Sequence, residues 1–274
     1  MKCFFSLYLL LFVVNSEAQT LHELKFNGED FQFFKIDIDT NLKVKYIVDH
    51  SSSGEIELKI NQLKNQHNVF LVASAGYINK NYENTKTFPV GFSSKNGKII
   101  NQTILLNRLH AMVFLENNSI LISKIDKGNI NLKNKSFDLN NALELYRYKN
   151  AIKENELSAF QTHLLIWENK LEYFDTINNI NFKRERRFLA HVEDSIGKQS
   201  YVIVNIPNWM KLKEASAFTK QYLNNNESFF IKTMINLDTG GQDVFEIYSK
   251  NKEKININGQ AHINEAITVL VFYK

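Results

Sequence analysis

Apolar and polar residues alternate over residues 31–38 and again over 42–48, with Asp39-Thr40-Asn41 between them. A period of two marks a half-buried strand, so the two runs predict an antiparallel hairpin. The period then lengthens. Ser52 and Glu55 have capping-box spacing, and Ile56, Ile60 and Leu63 follow at i, i+4 and i+7, which predicts a helix over about residues 53–65. Residues 69–73 form a short buried strand that exits into Ser74-Ala75-Gly76-Tyr77, where small side chains let backbone and ligand come close. A polar loop over 79–86 precedes Asn96-Gly97, a strong hairpin dipeptide. Residues 111–115 and 120–125 predict a further hairpin around Glu116-Asn117-Asn118.

Asp138 precedes a predicted helix with Ala142, Leu145 and Tyr146 on one face. Residues 160–167 read as a strand with Glu168-Asn169-Lys170 as its turn. The run Arg184-Glu185-Arg186-Arg187 introduces a strand over 188–192, and a loop over 194–198 leads to another over 201–206. Asn208 is placed to cap a helix whose Leu212, Ala215, Phe218, Tyr222 and Leu223 share a face, and residues 229–237 form the strand after it. Strand, helix, strand in that order implies a right-handed crossover. Residues 266–273, β-branched and aromatic, close the chain as a strand. Both prolines, Pro89 and Pro207, fall outside the helical patterns, as their missing N–H requires. No repeat or linker divides residues 26–274. The fold class is α+β: a mixed sheet packed with a few helices in a single compact domain.

Composition narrows the setting. Lys2, the apolar run over 4–14 and Ser16-Glu17-Ala18 have the layout of a secretory signal peptide over residues 1–18, which implies an exported protein, periplasmic or secreted. No stretch reaches the roughly 20 apolar residues of a membrane span, so the mature chain is expected to have no transmembrane segment. The one cysteine, Cys3, lies inside the leader, which leaves the mature chain with no disulfide and no thiol chemistry. A chain that is 44% hydrophobic, with 21 Phe and 11 Tyr, can bury a large core. The net charge of +4 is spread through interspersed Lys and Glu, without the basic block and interleaved aromatics of a nucleic-acid binder. Asn-x-Ser/Thr sequons at Asn101, Asn117, Asn134 and Asn226 are what chance supplies in so Asn-rich a chain.

The chemistry concentrates over residues 234–248. Apolar residues lead to Asn236-Leu237-Asp238, Gly240-Gly241 permits a turn with positive φ, and residues 244–248 read as a second strand. A carboxylate thus reaches a strand end beside exposed amides, a corner able to hold a polyhydroxyl or phosphate ligand. A plain Gly-Gly hairpin with a turn Asp accounts for the same residues.

An ordered series of motifs resembles the phosphodiester glycosidase family. Ser74-Ala75-Gly76-Tyr77 is similar to the family's strand ending in Asn-Gly-Gly and an aromatic residue, and Pro89-Val90-Gly91-Phe92 with Asn96-Gly97-Lys98 to its Pro-x-Gly-Leu and Asn-Gly turn. Phe160-Gln161-Thr162 with Glu168-Asn169-Lys170 resembles its Gln-Thr-Gly-Pro-x-Leu and Asn-Gly-Lys. Arg186-Arg187 into Ala190 resembles Arg-Thr-Ala-Ile-Gly, and residues 236–241 resemble Asn-Leu-Asp-Gly-Gly-Gly. The resemblance spans about residues 68–272. It departs from the family at Ser74, Ala75, His163, Phe188, His191, Thr239 and Gln242, each of which adds bulk or removes a polar contact.

The resemblance implies residues 19–67 as an N-terminal hairpin and helix of the same domain and 68–274 as the phosphodiester glycosidase-like part. It implies a hydrolase acting on a sugar 1-phosphodiester, with a carbohydrate or sugar phosphate as its partner. Because a phosphate monoester leaves as a stable anion, such a reaction needs a carboxylate for oxocarbenium character or water, plus donors that clamp phosphate. On that basis Asp238 is the candidate catalytic carboxylate and Arg187 the clamp, with Ser74, Gly76, Gln161, Gly240, Gly241 and Asp243 as substrate-binding candidates. Structural alternatives stand beside these: a solvated Arg187, a Gln161 satisfied by a neighbouring strand, a turn role for Asp243. His163 and His191 lack metal-ligand spacing, so no metal or other cofactor is assigned, although oxygen ligands for a divalent ion would leave no recognisable spacing. No serine-hydrolase elbow, P-loop or zincin helix occurs. A catalytically inactive glycan-binding protein of the same fold is the alternative.

Overall fold

The computed structural model describes residues 19–49, 54–80, 87–116, 119–172, 182–240, 243–257, 259 and 261–274. The leader, Ser52 of the capping box, Gly241 and Gln242 lie outside them.

The first third of the chain carries β1 (Gln19–Phe26), β2 (Glu29–Asp37), β3 (Lys43–Val48), α1 (Glu55–Gln66) and β4 (Val69–Ser74). Four short strands follow, β5 (Ile78–Lys80), β6 (Thr87–Pro89), β7 (Ser93–Lys95) and β8 (Lys98–Asn101). Next come β9 (Ala111–Glu116), β10 (Ser119–Asp126), β11 (Asn129–Leu132), β12 (Lys135–Asp138) and α2 (Ala142–Glu154). The second half continues with β13 (Ser158–Thr162), β14 (Leu164–Trp167), β15 (Lys170–Leu171), β16 (Arg184–Glu193), β17 (Gln199–Met210) and α3 (Leu212–Asn225). It closes with β18 (Phe230–Leu237), β19 (Phe245–Tyr248), β20 (Lys254–Ile257) and β21 (Thr268–Tyr273).

Three sheets share one core. Their strand orders are β1-β2-β17-β16-β18-β14-β15, β12-β11-β10-β9-β13-β7-β8 and β20-β19-β4-β21-β3, with a separate β5-β6 ribbon. Each contributes one face to a common cluster: Leu189, Ile203 and Ile235 from the first, Val113 and Phe160 from the second, Phe70, Leu270 and Phe272 from the third. The outer face of each sheet is then capped by one helix. Ala215, Tyr222 and Leu223 of α3 meet Phe188, Ala190 and Val202, while Ile56, Ile60 and Leu63 of α1 meet Val69, Val72 and Val271. Tyr148 and Ile152 of α2 meet Phe92, Met112 and Phe114. Strict alternation makes this arrangement work: in β21, Val269 and Val271 face α1 while Leu270 and Phe272 face the shared core. At ~1.5–3 kcal/mol for each large apolar side chain removed from water, these four clusters supply the main drive for folding.

The described chain is a sheet-rich single domain, and every strand pair among the described residues is antiparallel, so the mixed sheet expected from sequence is replaced by three antiparallel ones. The predicted first hairpin also dissolves. β2 pairs with β1 and β17, and β3 pairs with β21, because the turn at Asp39 carries the chain from one sheet to another. The run over 160–167 breaks in the same way at His163: β13 pairs with β9 and β7, β14 with β18. Around α3, β17 and β18 run parallel with β16 antiparallel between them, and the helix starts after Lys211, since Asn208 still belongs to β17. On α2 the cap is Asn141, whose side chain accepts from the N–H groups of Leu143 and Glu144. The buried face there is Tyr148 and Ile152, and Tyr146 is exposed. The turns at Asn96-Gly97 and Glu168-Asn169 form as expected, with positive φ at all four residues.

Candidate functional site

Three crossings between sheets meet at one corner of the core. β18 ends at Leu237, and the chain then crosses to β19 in another sheet, so Asp238 sits on a crossing rather than in a hairpin. The Asp238 N–H donates to the Ala75 carbonyl at 3.0 Å, which fixes it beside the exit of β4. The Asn236 N–H donates to the His163 carbonyl at 3.1 Å, and its side-chain amide donates to the Tyr77 hydroxyl and, at 2.7 Å, to the Leu237 carbonyl. The Tyr77 and His163 rings meet edge to face at 5.3 Å. Thr239 Oγ1 donates to the Glu185 carbonyl at 2.8 Å and ties the corner to the start of β16.

The electrostatics of this corner are those of a closed, weakly solvated site. Burial pushes the Asp238 carboxyl up to about 6; the Gly240 N–H at 3.0 Å opposes the shift, Asp243 adds to it, and Arg184 and Arg187 oppose it. Burial, then the Asp238 charge, raises the Tyr77 phenol. His163 is pushed down to about 4, first by burial and then by His110, so its imidazole is neutral at pH 7. Arg186 is lowered to about 10 by burial, with Tyr77 opposing the shift. Its Nε donates to the Met210 carbonyl at 2.9 Å and its Nη2 to the Phe182 carbonyl. Arg184, two residues earlier, is exposed.

The other sequence candidates take different positions. Arg187 is the ladder partner of Leu237, hence a neighbour of Asp238, yet its side chain is fully buried on the inter-sheet face. It is ion-paired to Asp243, donates to Asn205 at 2.9 Å and Glu185 at 3.3 Å, and lies over the Phe245 ring at 4.4 Å. A guanidinium so engaged is a counter-ion between two sheets, with only Nε lacking a hydrogen-bond partner. Asp243 accordingly is the other half of that pair, at the end of a turn in which its N–H donates to the Gly240 carbonyl.

Gln161 is also consumed internally. Its Oε1 accepts from the N–H groups of Phe92 and Leu105 at 3.2 and 3.0 Å, and its Nε2 donates to the carbonyls of Leu109 and Leu105 at 2.8 and 3.3 Å. Ser74 Oγ accepts the Val244 N–H at 2.7 Å. Gly76 is needed for packing, since a Cβ there would lie 3.2 Å from the Phe160 ring. Gly240 does not use the positive φ expected of it, and its N–H is spent on Asp238. Of the predicted residues the corner therefore assembles Asp238 and Gly240, with Ser74 and Gly76 in its wall. Tyr77, Asn236, His163 and Arg186 are members that sequence reasoning did not assign. Tyr77 and Asn236 stood inside the motifs already singled out, whereas nothing local distinguished Arg186 from Arg187 except the parity of the strand. Among the described residues, no three His, Cys, Asp or Glu side chains group to hold a metal ion.

No family model and no curated protein matches the sequence. In three dimensions the chain is similar to the zebrafish N-acetylglucosamine-1-phosphodiester alpha-N-acetylglucosaminidase catalytic domain auto-inhibited by its pro-peptide. The TM-score is 0.53 at 11% identity, over 95% of this chain and 85% of that one. This chain shares a hydrolase's fold. A protein of Burkholderia pseudomallei K96243 is more distant, with a TM-score of 0.46 at 7% identity over 90% of this chain and 74% of that one. At 11% identity the zebrafish likeness is one of architecture, and the chemistry rests on the side chains at the corner. No helix of the described residues is long and apolar enough to cross a membrane.

Proposed function

We propose that the protein is an exported hydrolase that cleaves a sugar 1-phosphodiester in a surface or capped glycan. The observation that supports this most is Asp238, a buried carboxyl poised near pH 6 at a corner shared with Tyr77, Asn236 and two guanidinium groups. In the reaction, water attacks the anomeric carbon as its bond to the phosphate oxygen breaks. The phosphate monoester departs as an anion, and the water proton passes through the ionised Asp238 to solvent. Arg184, exposed and within electrostatic reach of Asp238, takes the phosphate-clamping role first given to Arg187, whose donors are spent on Asp243. Neutral His163 and the un-ionised Tyr77 keep the corner free of further charge and supply sugar-hydroxyl contacts. Export rests on the leader-like residues 1–18.

A non-catalytic glycan-binding role is the second reading, favoured by the internal saturation of Gln161, Ser74 and the Gly240 amide. Sugar release from an N-acetylhexosamine 1-phosphodiester separates the two. Wild-type turnover that drops about 100-fold or more in Asp238→Asn supports the hydrolase. Equal release by both proteins removes Asp238 from the mechanism, and calorimetric binding with no release by the wild type selects the second reading.

A further inference from the structure

Away from this corner, an open groove of about 800 Å³ runs between β8 and α2. One wall is the edge strand of its sheet and the other is one face of the helix. Lys98 lines the first wall and Lys149 and Lys153 the second, with Tyr146, 62% exposed, one helical turn before Lys149. No carboxylate lines the groove, because Glu144 and Glu154 lie on the other flank of α2, against Lys135 and Phe137. Among the described residues none of the three lysines is engaged in a salt bridge.

The register gives the groove a direction. The Gly97 N–H donates to the Leu157 carbonyl, Ser93 pairs with both Phe160 and Asn101, and β8 therefore runs parallel to β13. Gln102, at the far end of the groove, is level with Gln161, which lies two strands away across β7, and His163 follows two residues after Gln161, about 7 Å along the strand direction. From Gln102 the chain continues to Arg108, whose backbone is hydrogen-bonded to His163. A cationic groove with one exposed aromatic ring on its helical wall thus runs along β8 in the direction of the corner that holds Asp238.

We propose that this groove is a second binding site, a track for the extended part of an anionic, phosphate-bearing glycan chain. Lys98 and Lys153 face each other at the Gly97 end of the trough and Lys149 stands one helical turn farther along, a cluster that pairs with adjoining phosphates, and the exposed phenol ring offers a flat apolar face with a hydroxyl at its rim for a sugar. That the polyanion is a glycan rests on the function proposed above; that the groove takes a polyanion rests on its own lysines.

The test uses the full mature chain and a linear N-acetylglucosamine 1-phosphate polymer as probe, with binding followed by calorimetry across salt concentrations. The triple variant Lys98→Gln/Lys149→Gln/Lys153→Gln is expected to bind at least about 10-fold more weakly, with a log–log salt slope shallower by about two to three. Tyr146→Ala, which keeps every charge, is expected to weaken binding while leaving the salt slope unchanged. Turnover of a short sugar 1-phosphodiester should be the same in both variants as in the wild type. Equal polymer affinity in wild type and triple variant overturns the track, as does tighter binding of single-stranded DNA or anionic phospholipid vesicles than of the glycan polymer. Loss of short-substrate turnover in the wild type, with lysine-dependent polymer binding intact, would count against the hydrolase and leave the track standing.

Discussion

Arg187 and Asp243 are ion-paired with neither side chain exposed to solvent, and the pair ties β16 of one sheet to the segment entering β19 of another. Removing Asp243 leaves the buried guanidinium with only the longer 3.3 Å ion pair to Glu185, and removing Arg187 leaves Asp243 buried without its counter-ion. Asp243→Ala is therefore expected to cost about 3–5 kcal/mol, while Arg187→Met/Asp243→Leu, which removes both charges, costs much less than the two single changes summed. Urea unfolding measures this, with a shifted midpoint at unchanged slope. A loss below about 1 kcal/mol in Asp243→Ala would show that the pair does not hold the sheets together.

On the proposed function, Asp238 is expected to make stability and activity move in opposite directions with pH. Its folded-state value, about 6, lies above its ordinary 3.8, so between those values the folded chain binds more protons than the unfolded one. Stability from this group is full below about pH 4, falls as pH rises through the window to about 6, and is constant above it. The loss is on the order of 3 kcal/mol. Asp238→Asn should flatten that fall and unfold later than wild type at pH 7.5. Activity needs the ionised carboxylate, so sugar release should rise with pH across the same midpoint. A wild-type stability curve parallel to that of Asp238→Asn from pH 4 to 7 would contradict the assignment.

Gln161 organises the loop that borders the site. Its amide bonds four backbone groups of Phe92, Leu105 and Leu109. Gly91 makes room for it, since at φ +75 a Cβ there would stand 2.7 Å from Gln161 Oε1. Gln161→Leu leaves buried N–H and C=O groups unpaired and is expected to cost about 2–4 kcal/mol. Gln161→Glu restores only the acceptor half and should fall between. Amide hydrogen exchange at Phe92 and Leu105 reads the effect directly; unchanged protection in Gln161→Leu would refute it.

Much of the local structure was legible in the residues. The Asn96-Gly97 turn follows from the positive φ those residues tolerate, and the face of α3 from the spacing of Leu212, Ala215, Phe218, Tyr222 and Leu223. Asp238 at a strand end was equally readable from the apolar run before it. Harder to read were residues 31–48 and 160–167, where one continuous pattern hides a change of sheet at Asp39 and at His163.

Hydrophobic periodicity records which side chains favour burial, because transfer free energy belongs to each residue and the spacing of a face belongs to the local backbone. It carries no record of which strand lies alongside, since any apolar face satisfies the same transfer free energy. The sequence alone therefore determined most of the strands, the turns at Asn96-Gly97 and Glu168-Asn169, the buried faces of α1 and α3, and a carboxylate at a strand end. Tertiary structure alone decided that three antiparallel sheets enclose one core, that Asp243 claims Arg187, and that Tyr77, Asn236, His163 and Arg186 gather around Asp238. Those outcomes depend on contacts between segments far apart in the chain, and the pairing of buried charges is settled only when the sheets close.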